Sequence, residues 1–494
     1  MKNIIIKSSS GSYTGICEDK INTFYGIPYA QSCADNNRWQ KPKELYDNYN
    51  HKQSLKGPSA YQTIVNKSFM FDPSLPKSSE DCLNLNIASP QDAFNLPVMI
   101  WIHGGAYLTG SANSALYQME TLASRGIVLI TINYRLGPFG FLKLDEVTNG
   151  KIPSTGNEGL LDQRLAIKWI KRNIEAFGGN PENITIFGES AGSWSCALQV
   201  GMGIKGDFQK VICQSGGGDA ARSSESANQW GELFISKCSD KNIQLDDLIN
   251  ATPKQLIEVA KLMNHHDLSN GSAWVMPEVG FVPVIDNIIL KDDYIENFNK
   301  ESFDLIAGTT LDEYRLWSTF HPLYKHLSKE NLLKRLSKIF KHSVDEIIEL
   351  YSDYVNDNDY GYLLSSIMTD LTFGSPVEEL LSMKNNSYGY IFTPQSPLLN
   401  GELGSFHASE LPYLFGVQNN PTYKKWSPNY RDKTSELMQE SWINFAKNGN
   451  PSSDTFEWKP FSNSSNYALI KDSIKNINSP FKERYKLINH AKNF

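Results

Sequence analysis

Two uninterrupted apolar runs constrain this chain more than any other feature. Leu96-Pro-Val-Met-Ile-Trp-Ile102 and Gly126-Ile-Val-Leu-Ile-Thr-Ile-Asn133 have strand length, and neither alternates between apolar and polar residues. A strand with one wet face alternates; a run without alternation is buried on both faces, the habit of parallel sheets covered by helices on each side. Helical patterns surround these runs. Residues 114–125 are long enough for a crossover helix. Residues 160–177 place Leu161, Leu165 and Trp169 on one stripe with Ile167, Ile170, Ile174 and Phe177 beside it, and Gly178, Gly179 and Pro181 close the pattern. Residues 183–187, 191–200 and 210–214 then read as strand, helix and strand. Further on, 303–307 and 388–393 read as two more strands. Leu-, Lys- and Glu-rich helical stretches at 329–355 and 360–383 lie between them, and 434–447 forms a late amphipathic helix. Alternating strands and helices of this kind predict an α/β fold with a large, mostly parallel central sheet and helices on both faces. No repeat, low-complexity tract or linker interrupts the pattern. The expectation is a single domain over 1–494, with helical insertions at about 220–300 and 314–387.

Composition narrows the class of function. The 24 Phe, 23 Tyr and 10 Trp are far too many for a disordered chain. Charge sums to 47 − 54 = −7, so no polyanion-binding surface and no nucleic-acid partner are expected. No apolar run reaches the roughly 18–20 residues of a membrane span, and the N-terminal stretch Met1-Lys-Asn-Ile-Ile-Ile-Lys7 is too weakly apolar for an export signal. Six cysteines, at 17, 33, 82, 196, 213 and 238, include no CxxC pair, and without export they read as free thiols. The predicted location is cytoplasmic.

The chemistry is concentrated in short segments. Gly188-Glu-Ser-Ala-Gly192 is a G-x-S-x-G pentapeptide lying where a β-branched strand gives way to a helix. A sharp strand-to-helix turn needs glycine on both sides of the serine, and it presents Ser190 at the strand end with the helix amides behind it. A serine hydroxyl is a weak nucleophile and requires a base and an oxyanion stabiliser. His103-Gly-Gly-Ala106, directly after the first apolar run, supplies bare backbone for the second need. The predicted oxyanion hole is the N–H groups of Gly104, Gly105 and Ala191, with His103 structural.

At this point the chain resembles a type-B carboxylesterase of the α/β-hydrolase fold, the family containing bacterial para-nitrobenzyl esterases and the cholinesterases. The matching segments include Phe24-Tyr-Gly-Ile-Pro-Tyr29, Glu80-Asp-Cys-Leu-Asn-Leu-Asn86, His103-Gly-Gly-Ala-Tyr107 and Asn133-Tyr-Arg-Leu-Gly137. They continue through 156–179, 188–192, 308–313, 407–416 and 442–451. The resemblance implies ion pairs Arg38–Glu80 and Arg135–Asp162. In this fold the order is serine, acid, histidine. The resemblance maps the acid to Glu313, in Gly308-Thr-Thr-Leu-Asp-Glu313, with Asp312 as its competitor, and the base to His407, in His-Ala-Ser-Glu-Leu-Pro-Tyr. The histidines at 51, 265, 266, 321, 326, 342 and 490 lack that context. Glu189 and Ser215 are expected to support the triad, and Trp317, four residues past Glu313, sits where relatives place an acyl-pocket aromatic.

The chain departs from the family in two places. Secreted relatives pair the cysteine of Glu-Asp-Cys with one about 25 residues upstream, whereas here Gly57-Pro-Ser-Ala-Tyr61 holds none, so Cys82 is expected to be unpaired. Cholinesterases stack a quaternary ammonium on a Trp before Glu80; this chain has Phe69-Met-Phe-Asp72 there, which argues against choline esters. The sequons at Asn66 and Asn463 mean nothing without export. No metal-ligand spacing exists (His265-His266 is an isolated pair), and there is no nucleotide-binding glycine motif, so neither metal nor cofactor is expected. The expected function is hydrolysis of small carboxylic esters through an acyl-enzyme on Ser190, by a monomer or weak homo-oligomer. A lipase acting on longer acyl glycerides is the alternative, and a non-catalytic binding protein the remote one.

Overall fold

A computed structural model describes the chain except residues 46–47, 53, 63–74, 204–205, 265–279, 353–358, 430, 463 and 492–494. The Phe69–Asp72 segment, the His265-His266 pair and the sequons at Asn66 and Asn463 therefore lie outside the described residues. The described residues fall into two compact units. The first is built from Met1–Ile212, Asp219–His266 and Glu278–Phe303, the second from Cys213–Gly218 and Asp304–Phe494.

In the first unit the chain enters through strands β1 (Lys2–Ser8), β2 (Gly11–Glu18), β3 (Ile21–Pro28) and the short β4 (Tyr49–His51). β5 (Asn84–Pro90), β6 (Leu96–Ile102), β7 (Val128–Ile132), β8 (Gly179–Glu189) and β9 (Lys210–Gln214) follow. Their lateral order is β1-β2-β3-β5-β7-β6-β8-β9, with β4 against β2. Pairing is antiparallel from β1 to β7 and parallel from β7 through β6 to β8. Both founding runs are where the sequence puts them, and Val98–Ile102 and Val128–Ile132 are fully buried, as strands covered on two faces must be. A small parallel ribbon joins β10 (Arg222–Ser223) to β11 (Val284–Ile285).

The second unit carries β12 (Asp304–Thr310), β13 (Ser387–Phe392) and β14 (Asn466–Ile470) in parallel, with β15 (Ile474–Asn478) antiparallel at the edge.

Several elements differ from expectation for local reasons. The crossover helix shrinks to Met119–Ala123, because the Ser114 hydroxyl takes the Leu116 N–H and holds the preceding residues in a turn. The 329–355 stretch is broken into Lys329–Ile339 and Val344–Ser352 at Ser343, whose φ is +62°. The 360–383 stretch is interrupted by a five-residue π-helical turn, Asp370–Gly374.

Two buried ion pairs fix the loops of the first unit. Arg38 grips Glu80 through two bonds of 2.6 and 2.7 Å while its remaining nitrogen donates to the carbonyls of Leu248, Ile249 and Ala251. Arg135 grips Asp162 at 2.8 and 2.7 Å, and its backbone N–H adds a third bond of 3.0 Å. Bidentate geometry with the remaining donors satisfied is what makes such burial tolerable.

All six cysteines are thiols. Cys82 is not isolated, however. Cys33, 49 residues upstream, lies against it, and that hydrogen bond together with burial pushes the Cys82 thiol well above its ordinary pKa. A thiol so protonated is a poor nucleophile and resists exchange. Titration of the denatured, unreduced chain should count six thiols; a count of four would mean that Cys33 and Cys82 are joined.

Candidate active site

The first unit supplies a strained serine. β8 ends at Glu189, the helix Ala191–Gly201 begins at once, and Ser190 between them has φ 57° and ψ −123°. A residue bearing a Cβ takes such angles only where its surroundings impose them. Here the surroundings are glycines. A Cβ on Gly192 would sit 2.0 Å from the Ile102 carbonyl oxygen at the end of β6, and one on Gly188 would sit 2.5 Å from the backbone of Gly192. The turn closes only because both side chains are missing. The result is a serine with 4% of its surface exposed at the head of a buried helix.

β6 delivers the second part. Directly after Ile102, a Cβ on Gly104 would lie 2.6 Å from the Glu189 carbonyl and 3.1 Å from Ser190 Cβ, so the bare backbone abuts the serine turn. Gly105, Ala106 and Tyr107 all have positive φ (107°, 56° and 57°), which curls the chain around that turn. Ala191 is the first residue of its helix, so its N–H is one of the donors no helical carbonyl can satisfy, at the positive end of the dipole. Gly104, Gly105 and Ala191 are thus gathered at one turn with Ser190. Glu189 is buried there too, its carboxylate Oε2 packed against the Gly104 position.

His103 is structural, as expected. It is fully buried, stacked on Tyr134 with ring centroids 4.5 Å apart, and its Nδ1 lies 2.9 Å from the Gly104 carbonyl. Burial lowers its pKa to about 4, partly opposed by that carbonyl. The folded imidazole therefore stays neutral where the unfolded one, near 6.5, takes a proton. Between these values the unfolded chain binds the extra proton, so stability is complete above about pH 6.5 and falls as pH drops toward 4. The expected loss is about 3 kcal/mol. Denaturant midpoints measured across that window should fall for the native chain, and His103→Gln should flatten the dependence.

The second unit supplies an acid–base pair. Glu313 is completely buried; its Oε1 accepts the Thr310 N–H at 2.8 Å and its Oε2 meets His407 Nδ1 at 2.6 Å. The His407 N–H also reaches the Glu313 carbonyl at 3.3 Å. The adjacent Asp312 has different partners. Its Oδ2 accepts the Ser405 N–H at 2.9 Å, its own N–H donates to the Ser405 carbonyl at 2.9 Å, and Arg315 lies 3.5 Å from Oδ1. Burial raises the Asp312 pKa, with Arg315 opposing. Asp312 therefore ties down the loop that carries His407, and Glu313 takes the imidazole.

Trp317 stands against the His407 ring, 5.0 Å between centroids, and is partly exposed. Phe373 covers the same imidazole at 4.8 Å and stacks on Trp317, 7° from parallel. Nothing in the sequence singled out Phe373; the only signal was Gly374-Ser-Pro376, a break inside an apparent long helix. Ser215 lies in the second unit. It is buried with φ 54°, and its N–H donates to the Gly308 carbonyl at 2.8 Å, but its hydroxyl has no hydrogen-bond partner among the described residues. Among the described residues no group of three or more His, Cys, Asp or Glu could hold a metal, and no helix is long and apolar enough to cross a membrane.

The chain belongs to the carboxylesterase family, which matches residues 4–488, and it is a carboxylic ester hydrolase of the α/β-hydrolase fold. Among its relatives is the para-nitrobenzyl esterase of Bacillus subtilis (strain 168), 32% identical over 98% of each chain. The bile salt-activated lipase of Rattus norvegicus is 30% identical over 92% of this chain and 78% of its own. A solved PNB esterase superposes with a TM-score of 0.86 at 28% identity over 99% of each chain. The Geobacillus stearothermophilus carboxylesterase gives 0.84 at 29% identity over 98% and 99%.

Proposed function

We propose that Ser190, His407 and Glu313 act together as the catalytic triad of a serine carboxylesterase, with Gly104, Gly105 and Ala191 as its oxyanion hole. The observation that carries this reading is the buried Glu313–His407 contact of 2.6 Å. With Nδ1–H committed to the carboxylate, the imidazole has Nε2 left as the base. Nε2 takes the Ser190 proton as Oγ attacks the ester carbonyl, and the tetrahedral oxyanion is held by the three backbone N–H groups. The C–O bond to the alcohol breaks as His407 returns that proton to the leaving oxygen. Water then attacks the acyl-enzyme by the same route, releasing the acid and restoring Ser190. Glu313 fixes the tautomer and stabilises the imidazolium. No cofactor enters, and the proposed setting is a cytoplasmic monomer or weak homo-oligomer acting on small, uncharged esters.

Trp317 and Phe373 beside the imidazole support a short to medium acyl chain. A nitrophenyl ester series from acetate to dodecanoate tests the reading: turnover should be highest at the short end, and no turnover of any member would refute it. A rate jump above the solubility limit of the long esters would favour the lipase alternative. Trp317→Ala should move the optimum toward longer chains by about 1–3 kcal/mol per accommodated methylene, with acetate slower but still hydrolysed. A uniform loss at every chain length would instead indicate damaged packing.

A further inference from the structure

The π-helical turn at Asp370–Gly374 is held from behind by the C-terminal helix, Lys482–Ala491. Asp370, 2% exposed, accepts from Tyr351 Oη at 2.5 Å and from Arg484 Nε at 2.6 Å, and a second Arg484 nitrogen also binds its Oδ2. The Arg484 guanidinium lies 4.5 Å over the Tyr351 ring and 4.4 Å over that of Phe481. Tyr485 closes on the same turn: a Cβ on Gly374 would meet its hydroxyl at 2.4 Å. Ser375, the next residue, hydrogen-bonds Asn489. Two residues of the last helix thus engage the turn, and a third holds the residue that follows it.

The opposite side of that turn reaches the acid–base pair. A π-helical turn is wider than an α-helical one, so residues three apart diverge in direction. Asp370 faces Arg484, while Phe373 faces His407 and Trp317. Two further bonds tie the Trp317 segment to the helix feeding the turn: Tyr314 N–H donates to Thr369 Oγ1 at 3.1 Å, and the Ser318 and Ser365 hydroxyls are 2.9 Å apart.

We infer that Arg484, through Asp370, is a positioning residue for acyl-chain selectivity: it sets the π-turn that aims Phe373 at the His407 ring. The inference rests on the triad reading above and extends it to a control element far from the reacting atoms. Without the clamp the turn relaxes toward regular helix, Phe373 rotates off the imidazole, and the aromatic wall opens to longer chains.

Removing Arg484 alone strands a buried carboxylate and risks unfolding. The test therefore uses Asp370→Asn/Arg484→Gln, which removes both charges, Gly374→Ala, which pushes on Tyr485, Phe373→Leu, and the combination of the first with the last. For each folded variant, kcat and KM are measured with nitrophenyl acetate and nitrophenyl octanoate, and Ser190 is titrated with a fluorophosphonate. The paired-charge variant and Gly374→Ala should each raise the octanoate-to-acetate ratio of kcat/KM by about tenfold, mainly through KM. Adding the charge change to Phe373→Leu should give no further rise. Full additivity of the two changes, or an unchanged ratio with Ser190 titrating normally, overturns this inference alone. Failure of the native enzyme to titrate at Ser190 overturns the triad reading and this inference with it.

Discussion

Replacing Ser190 with alanine should lower kcat by about 10⁴–10⁶-fold and leave the fold intact, a loss of about 5–8 kcal/mol of transition-state stabilisation. The expectation follows from the backbone. Ser190 sits at φ 57° in a turn whose flanking glycines have no room for a Cβ, a conformation that serves no packing purpose for a small polar side chain. Removing one hydroxyl oxygen from this buried side chain leaves its Cβ in place and so costs little packing. Steady-state rates with nitrophenyl acetate, beside a thermal unfolding curve, separate the two effects. A variant that retained its rate would remove the nucleophile from the mechanism.

Glu313→Gln should depress kcat by about 10³–10⁴-fold, while Asp312→Asn should change it by far less. The two side chains are neighbours in sequence, Glu313 fully buried and Asp312 largely so, yet their partners differ. Glu313 Oε2 meets His407 Nδ1 at 2.6 Å, and an amide there can present its N–H₂ and turn the imidazole to the wrong tautomer. Asp312 accepts the Ser405 N–H, which an asparagine oxygen still does. Asp312→Asn should therefore show mainly in stability, read from its denaturant midpoint. Reversed effects on kcat would place the acid one residue earlier.

The parts of this architecture that the sequence discloses are those whose pattern is set locally. β6 and β7 stand out because burial on both faces leaves no polar interruption. Ser190 stands out because the strand, the glycines and the helix are contiguous. Edge elements are silent for the opposite reason. β1 and β15 are half-exposed antiparallel strands, and Ile474-Lys-Asn-Ile-Asn478 has no composition that separates it from a loop until it pairs with β14. Residues 24–29 and 80–86 were visible as family segments without being legible as β3 and β5. The Glu313 assignment needed the resemblance, since spacing alone did not separate it from Asp312. Phe373 was beyond reach: its direction depends on a π-turn held by Arg484, 114 residues from Asp370. The neighbour of Cys82 was missed similarly, because Cys33 lies at a spacing that the secreted relatives do not use.

Labelling with a fluorophosphonate followed by peptide mass mapping tests the central claim most directly. One phosphonyl group per chain should appear on the peptide spanning residues 188–192, and esterase activity should disappear in step with its incorporation. An adduct on any other peptide, with Ser190→Ala still hydrolysing esters at the native rate, would contradict the mechanism.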